Sequence, residues 1–179
     1  MRLVEESIVI RRPIDEVFGF VADATNDPTW HTTVVEGRRA SAEPIGLGTT
    51  FDVIYDSHKD TLATPAQPAH FEHLRAVIIE YVPDQAVRFR VDFTDPPRGL
   101  SARMLGRSFE LTFRFAQVAE GTRVYRGGEF HPVLFLRPLA PLFERGIATR
   151  NRYLLDNLKR AVEDRTSAHV QDEEESGGG

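Results

Sequence analysis

Cysteine is absent from this chain of 179 residues. That removes disulfides, thiolate nucleophiles and cysteine-ligated zinc from consideration. Lysine is nearly absent: only Lys59 and Lys159 are found among 22 basic residues, and the rest are arginine. Coding-composition bias explains this better than a guanidinium-rich binding surface. No apolar run approaches the length that a membrane-spanning helix needs, and no N-terminal segment has a signal-peptide pattern. A soluble, cytoplasmic protein without integral membrane association is therefore expected. An excess of basic charge is missing too. The net charge is −5, and Asp172, Glu173, Glu174 and Glu175 supply four of it, so the body is close to neutral and offers no footprint for nucleic acid. Gly46-Leu47-Gly48 lacks the third glycine, the lysine and the following helix of a phosphate loop, and no nucleophile-elbow motif is present. What remains is 41% hydrophobic, enough to fill one core.

The periodicities place that core. Val4, Ile8 and Ile10 share one strand face, with Glu6 as the exception. Pro13 then presets φ for a first helical turn, and Asp15 and Glu16 sit where the helix dipole favours acids. Ile14, Val17, Phe18 and Val21 give that short helix one apolar stripe. Residues 34–40 read as an exposed edge strand marked by Glu36, Arg38 and Arg39, and residues 50–55 alternate Phe51, Val53 and Tyr55. The polar stretch 56–69, with Pro65 and Pro68, is long for a loop and is either a lid or an insertion. Two strands follow at 71–82 and 86–94, joined around Pro83-Asp84-Gln85, with Phe89, Val91 and Phe93 alternating against Arg88, Arg90 and Asp92. Residues 95–106 form a second mobile candidate. From about Arg137 the period becomes helical: Leu142, Phe143, Ile147, Leu154, Leu155, Leu158, Ala161 and Val162 form a stripe, interrupted at Arg150 and Asn151. Residues 166–179 are polar and acidic, end in glycines, and are expected to be disordered.

The run Arg12-Pro13-Ile14-Asp15-Glu16-Val17-Phe18-Gly19-Phe20-Val21-Ala22-Asp23, followed by Asn26-Asp27-Pro28-Thr29-Trp30, resembles the opening of the polyketide cyclase/dehydrase and lipid-transport group of the START-like (SRPBCC) superfamily. The turn at Gly46-Leu47-Gly48 and the hairpin Glu80-Tyr81-Val82-Pro83-Asp84 into Val87-Arg88-Phe89-Arg90 are similar to the same group. The resemblance spans roughly residues 3–163. It implies one START-like domain, residues 1–165, of α+β class: a curved antiparallel sheet of about seven strands wrapped around a long C-terminal helix, the helix-grip arrangement, with two short helices after the first strand. It also implies a cavity for a small hydrophobic or aromatic ligand between helix and sheet, with the break at Arg150 and Asn151 lying under it. No cofactor or metal is expected, and the oligomeric state is not legible.

The hairpin from Arg107 to His131 decides the inward residues. Phe109, Leu111, Phe113 and Phe115 form a strict apolar row. A three-residue loop Ala119-Glu120-Gly121, with the glycine in the left-handed region, sets Phe115 opposite Tyr125, Leu111 opposite Glu129 and Phe109 opposite His131. Opposed residues share a face, so Tyr125, Glu129 and His131 would then join the phenylalanines inside. A two-residue loop at Glu120-Gly121 places Val124, Arg126 and Phe130 inside instead. Gly127 and Gly128 remove the side chains that would settle the choice, and the first register is preferred. The expected ligand wall is Phe89, Phe93, Phe109, Phe113 and Phe115, with Tyr125, Glu129, Arg150 and Asn151 as polar lining.

Catalytic constellations are sparse. His70 and His73 fall on opposite faces of a strand, a poor metal pair, and His58 and His169 carry no signal. His31 follows Trp30 at a helix end and reads as a surface or capping residue. Glu129 with His131 is the acid/base pair the pattern supports, against the plainer reading that Glu129 pairs with an inward arginine such as Arg150. Three function classes follow: a small-molecule carrier, a polyketide cyclase/dehydrase-like enzyme using Glu129 and His131, and a protein-interaction module.

Overall fold

The computed structural model describes residues 2–42, 44–56, 71–95, 108–130 and 140–176, with the backbone alone at 2–3, 129–130, 140–143 and 166–176. The 56–69 and 95–106 loops fall almost wholly outside these residues. So do His58, His70 and His131, and the side chains of Leu142, Phe143 and His169.

Seven strands form one antiparallel sheet: β1 (Arg2–Ile10), β2 (Val34–Arg39), β3 (Thr50–Asp56), β4 (Phe71–Val82), β5 (Ala86–Phe93), β6 (Ser108–Val118) and β7 (Gly121–Phe130). Their order is β1-β7-β6-β5-β4-β3-β2, so each strand from β2 onward pairs with its sequence neighbour while β1 closes on β7. Between β1 and β2 lie α1 (Ile14–Ala22) and a 3-10 helix (Ala24–Thr29), and the chain ends in α2 (Ala140–Ser176). This is the α+β helix-grip arrangement expected from the sequence. In α1, Val17, Phe18 and Val21 are buried as the stripe requires. Leu154, Leu155 and Leu158 of α2 are almost wholly buried in the same core as Phe89, Phe113 and Phe115. The backbone of α2 continues past Arg165 to Ser176, where the sequence reading had the helix end. Glu, Gln and Ala in that segment are strong helix formers, which loop-like polarity alone conceals.

α2 lies along β1, and polar side chains seal that sheet edge: Lys159 Nζ donates to Val9 O at 2.8 Å and Asn151 Nδ2 to Val4 O at 3.4 Å. Edge carbonyls that would otherwise template association are thus occupied. Below them, Arg11 N donates to Glu163 Oε1 at 2.8 Å and Arg12 Nη2 to Glu163 O at 2.7 Å. The convex face is laced by exposed ion pairs, including Arg75–Asp52, Arg88–Glu80 and Arg114–Glu5.

The β6–β7 hairpin corrects the preferred register. The loop is Ala119-Glu120, Val118 pairs with Gly121, Phe115 with Val124, and Phe113 with Arg126. Val124 and Arg126 are buried on the phenylalanine face, as in the second sequence reading, although the loop sits one residue earlier than that reading placed it. The physical reason is Gly121. A Cβ there would stand 2.3 Å from Ile10 O and 2.9 Å from Arg11 Cα, at a φ of +137°. The glycine is needed for close approach to the end of β1, not to form the loop.

Candidate functional site

The segment that enters the interior is built locally before it is packed. Asp23 caps the 3-10 helix, accepting from Thr25 N at 3.1 Å and from Thr25 Oγ1 at 2.7 Å. Asn26 Nδ2 ties back to Phe20 O at 3.0 Å, and Trp30 N and His31 N both donate to Asp27 O. Gly37 of β2 is pressed against this helix, since a Cβ would come within 2.3 Å of Ala24 O. The chain therefore leaves the 3-10 helix with Trp30 and His31 turned inward, 4% and 8% exposed.

Around them an aromatic and polar cluster forms between the concave face and α2. The Trp30 ring meets Phe113 edge-on, centroids 6.3 Å apart, and Phe113 meets Phe89 the same way at 6.4 Å. His31 lies 5.3 Å from Trp30 and 6.5 Å from Tyr55. Arg126, only 5% exposed, reaches over the Phe113 ring at 5.8 Å and donates through Nη1 to Asn151 Oδ1 of α2. One turn face away, Arg150 Nη2 donates to Tyr55 OH at 2.6 Å and to Thr33 Oγ1 at 3.4 Å, while Thr33 Oγ1 shares a hydrogen bond with His31 Nδ1 at 2.9 Å. Thr33 and Asn151 are themselves buried. Sheet, 3-10 helix and α2 thus meet in one network.

Its electrostatics follow from burial. Desolvation, followed by the charges of Arg126 and Arg150, holds His31 well below the usual histidine range, so its imidazole is neutral. Arg126 is pushed down to about 10 by burial and by Arg150, against the opposing pull of Asp27 and Tyr55. Asp27 is pushed up to about 7, chiefly by burial, although Arg126 and the Trp30 indole favour its ionised form. Arg126 Nε is buried without a hydrogen-bond partner among the described residues.

The phenylalanines expected as a ligand wall fall in two groups. Phe89 and Phe113 belong to the cluster, Phe93 and Phe109 pair beside it with centroids 6.1 Å apart, and Phe115 turns toward α1 to meet Phe18 edge-on at 5.3 Å. Arg150 and Asn151 face the interior as the broken stripe indicated. Tyr125 does not: it pairs with Arg114, whose guanidinium lies 5.3 Å from its ring on the convex side, where Arg114 also holds Glu5. Glu129 pairs with Leu3 along the backbone; its side chain, like all of His131, lies outside the described residues. Sequence reasoning missed Asp27, Trp30, Thr33 and Tyr55, placed Arg126 only in the less favoured register, and put His31 at the surface. The available signal for His31 was Trp30 itself, since a lone tryptophan at a helix exit is a core residue by default and carries its neighbour inward.

A family model described as polyketide cyclase / dehydrase and lipid transport matches residues 1–163. Among solved structures, the chain is similar to the di-domain ARO/CYC StfQ from the steffimycin biosynthetic pathway. That likeness has a TM-score of 0.61 at 15% identity and covers 92% of this chain and 52% of that one. It is similar also to Ara h 8.0201, with a TM-score of 0.61 at 12% identity over 90% of this chain and 97% of that one. A protein of unknown function, SA2116 from Staphylococcus aureus, gives a TM-score of 0.64 at 10% identity over 93% and 96% of the two chains. At such identities the likeness is one of fold alone. The chain matches no curated protein by sequence.

Proposed function

The chain belongs to the polyketide cyclase / dehydrase and lipid transport family, and from that membership we propose that it binds a small hydrophobic or aromatic ligand, lipid- or polyketide-like, between α2 and the concave face of the sheet. The observation that carries the reading is Arg126, a guanidinium 5% exposed among Phe113, Asn151 and Trp30. Burying an ion gains little stability over an apolar residue of the same shape, so a core built for stability alone would not hold one. A few converging polar groups among aromatic walls is instead the composition of a ligand site. Phe89, Phe113 and Tyr55 supply flat walls, with Phe93 and Phe109 extending them, and Arg126, Arg150, Asn151 and His31 supply orientation.

Trp30 is the single tryptophan of the chain, so its emission reports this site alone. Titration with the neutral probe N-phenylnaphthylamine should give saturable energy transfer from Trp30 at one probe per chain. Transfer that never saturates, or none, contradicts the reading.

A cyclase-like enzyme has one specific observation in its favour. Asp27, with its carboxyl pushed up to about 7, stands beside Arg126 and Trp30, and an acid poised near neutrality in a buried site suits general acid/base work. Glu129 and His131, the pair drawn from the sequence, are candidates for the same role. Asp27→Asn and Glu129→Gln separate the readings: a carrier tolerates both, whereas an enzyme loses turnover by about 10²–10⁴-fold on loss of its base while still binding.

A further inference from the structure

In a neutral histidine one ring nitrogen carries the proton, and which one is set by the hydrogen bond the other makes. Nδ1 of the buried His31 lies 2.9 Å from Thr33 Oγ1. The hydroxyl of Thr33, itself buried, meets one further group among the described residues: it accepts from Arg150 Nη2 at 3.4 Å. A guanidinium can only donate, so the single hydroxyl hydrogen of Thr33 has one acceptor within reach, His31 Nδ1. The opposite arrangement, with Nδ1–H donating to Thr33, would bury that hydroxyl hydrogen without an acceptor, and buried polar groups are rarely left so. Desolvation and the charges of Arg126 and Arg150 keep the ring from taking a second proton.

We propose that Arg150 and Thr33 are positioning residues for His31, through a relay that runs from Arg150 Nη2 to Thr33 Oγ1 to His31 Nδ1. The relay fixes the imidazole as its Nε2–H tautomer and makes His31 a hydrogen-bond donor to a carbonyl or hydroxyl oxygen of the ligand. The tautomer follows from contacts within the chain, whereas the use of the donor rests on the ligand-binding reading above. His31 is a donor here and not a base, because Nδ1, the nitrogen that would take up a proton, already accepts from a chain that begins at a cation. Hydrogen bonds in such a chain polarise one another, which strengthens Nε2–H as a donor. Arg150 is held at the start of the relay by Tyr55 OH at 2.6 Å. The cluster is least enclosed at this end, since Tyr55 and Arg150 are half-buried while Trp30 and Arg126 are buried.

Long-range proton–nitrogen NMR correlation on the isotope-labelled full chain reads the tautomer without any ligand, and the signal missing from His31→Phe identifies the ring. Nδ1 should be unprotonated and Nε2 protonated. Thr33→Val keeps the shape and removes the hydroxyl, so it should displace the Nδ1 resonance, and Thr33→Ser should bring it back. A protonated Nδ1 in the parent chain, or an Nδ1 resonance unmoved in Thr33→Val, overturns the relay. Calorimetric titration then tests the donor with acetonaphthone, which carries a carbonyl, and ethylnaphthalene, which does not. His31→Phe should weaken acetonaphthone about tenfold and leave ethylnaphthalene within about twofold. Thr33→Val should move the ketone in the same direction and carries the comparison if His31→Phe fails to fold. Equal changes for the two probes overturn the donor role and leave the ligand-binding reading intact. Binding of neither probe overturns that reading and the donor role with it, while the NMR result still decides the relay.

Discussion

Arg126 of β7 donates to the side-chain oxygen of Asn151 of α2, and this hydrogen bond spans the interior from sheet to helix. Asn151 passes the link on to Val4 O at the edge of β1, so one residue of α2 holds both a buried guanidinium and the sheet's free edge. Asn151→Leu should therefore destabilise the fold by about 1.5–3 kcal/mol, because Arg126 loses an acceptor it cannot replace from water. In a double-mutant cycle with Arg126→Met, denaturant unfolding should show positive coupling, with the double variant less impaired than the sum of the singles. Strict additivity would mean the hydrogen bond does not form.

Leu154 and Leu158 are buried to within 1% in the shared core. Truncation of either to Ala should cost about 2–5 kcal/mol through loss of transfer energy and the cavity left behind. Tyr153, 49% exposed on the opposite side of α2, should accept Ala with less than about 1 kcal/mol of change. A similar cost at Tyr153 and Leu154 would show that α2 packs by another face.

Gly121 and Gly46 make a matched test of the hairpin. Gly121→Ala places a Cβ against Ile10 O at a positive φ and should destabilise by at least about 1–3 kcal/mol. Gly46→Ala meets nothing within 4 Å and should be close to neutral. Thermal unfolding of the two variants side by side decides the matter, and equal melting temperatures would contradict the register.

The same hairpin shows what the sequence conceals. Alternation made the inward row of β6 legible, and with it Phe113 and Phe115, because period-2 burial is a property of one strand. Which face of β7 joins that row depends on where the chain turns. Gly121 carries identical local evidence for a loop residue and for a strand residue pressed against β1, and only the long-range contact with Ile10 distinguishes them. Arg150 and Asn151 were legible as a break in an otherwise apolar stripe. His31 was not, because its burial comes from Gly37 packing on Ala24, a contact between segments with no shared periodicity.

Two groups in the cluster give opposing pH dependence. His31 is held neutral in the fold, so an unfolded chain, whose histidine takes up a proton below about 6.5, binds more protons there; stability contributed by His31 is present above that pH and lost as pH falls. Asp27 is raised from 3.8 to about 7, so the folded chain holds the extra proton in that window; its contribution is present at low pH and lost as pH rises toward 7. The two trends overlap and partly cancel, and single variants separate them. Measured by denaturant unfolding against pH, His31→Gln should lose less stability on acidification to about pH 5 than the parent chain, and Asp27→Asn should lose less between about pH 4 and pH 7. Unchanged slopes in both variants would contradict the burial assigned to these groups.

The central claim, that the interior around Phe113 is a ligand site, is tested most directly by the indole N–H resonance of Trp30 in a heteronuclear NMR titration. One tryptophan gives one indole signal, and it comes from the ring packed on Phe113. On addition of N-phenylnaphthylamine the account predicts a large, saturable shift of that resonance, while convex-face signals such as the backbone amide of Arg75 stay in place. An indole resonance that does not move at saturating probe, or shifts confined to the convex face, would contradict it.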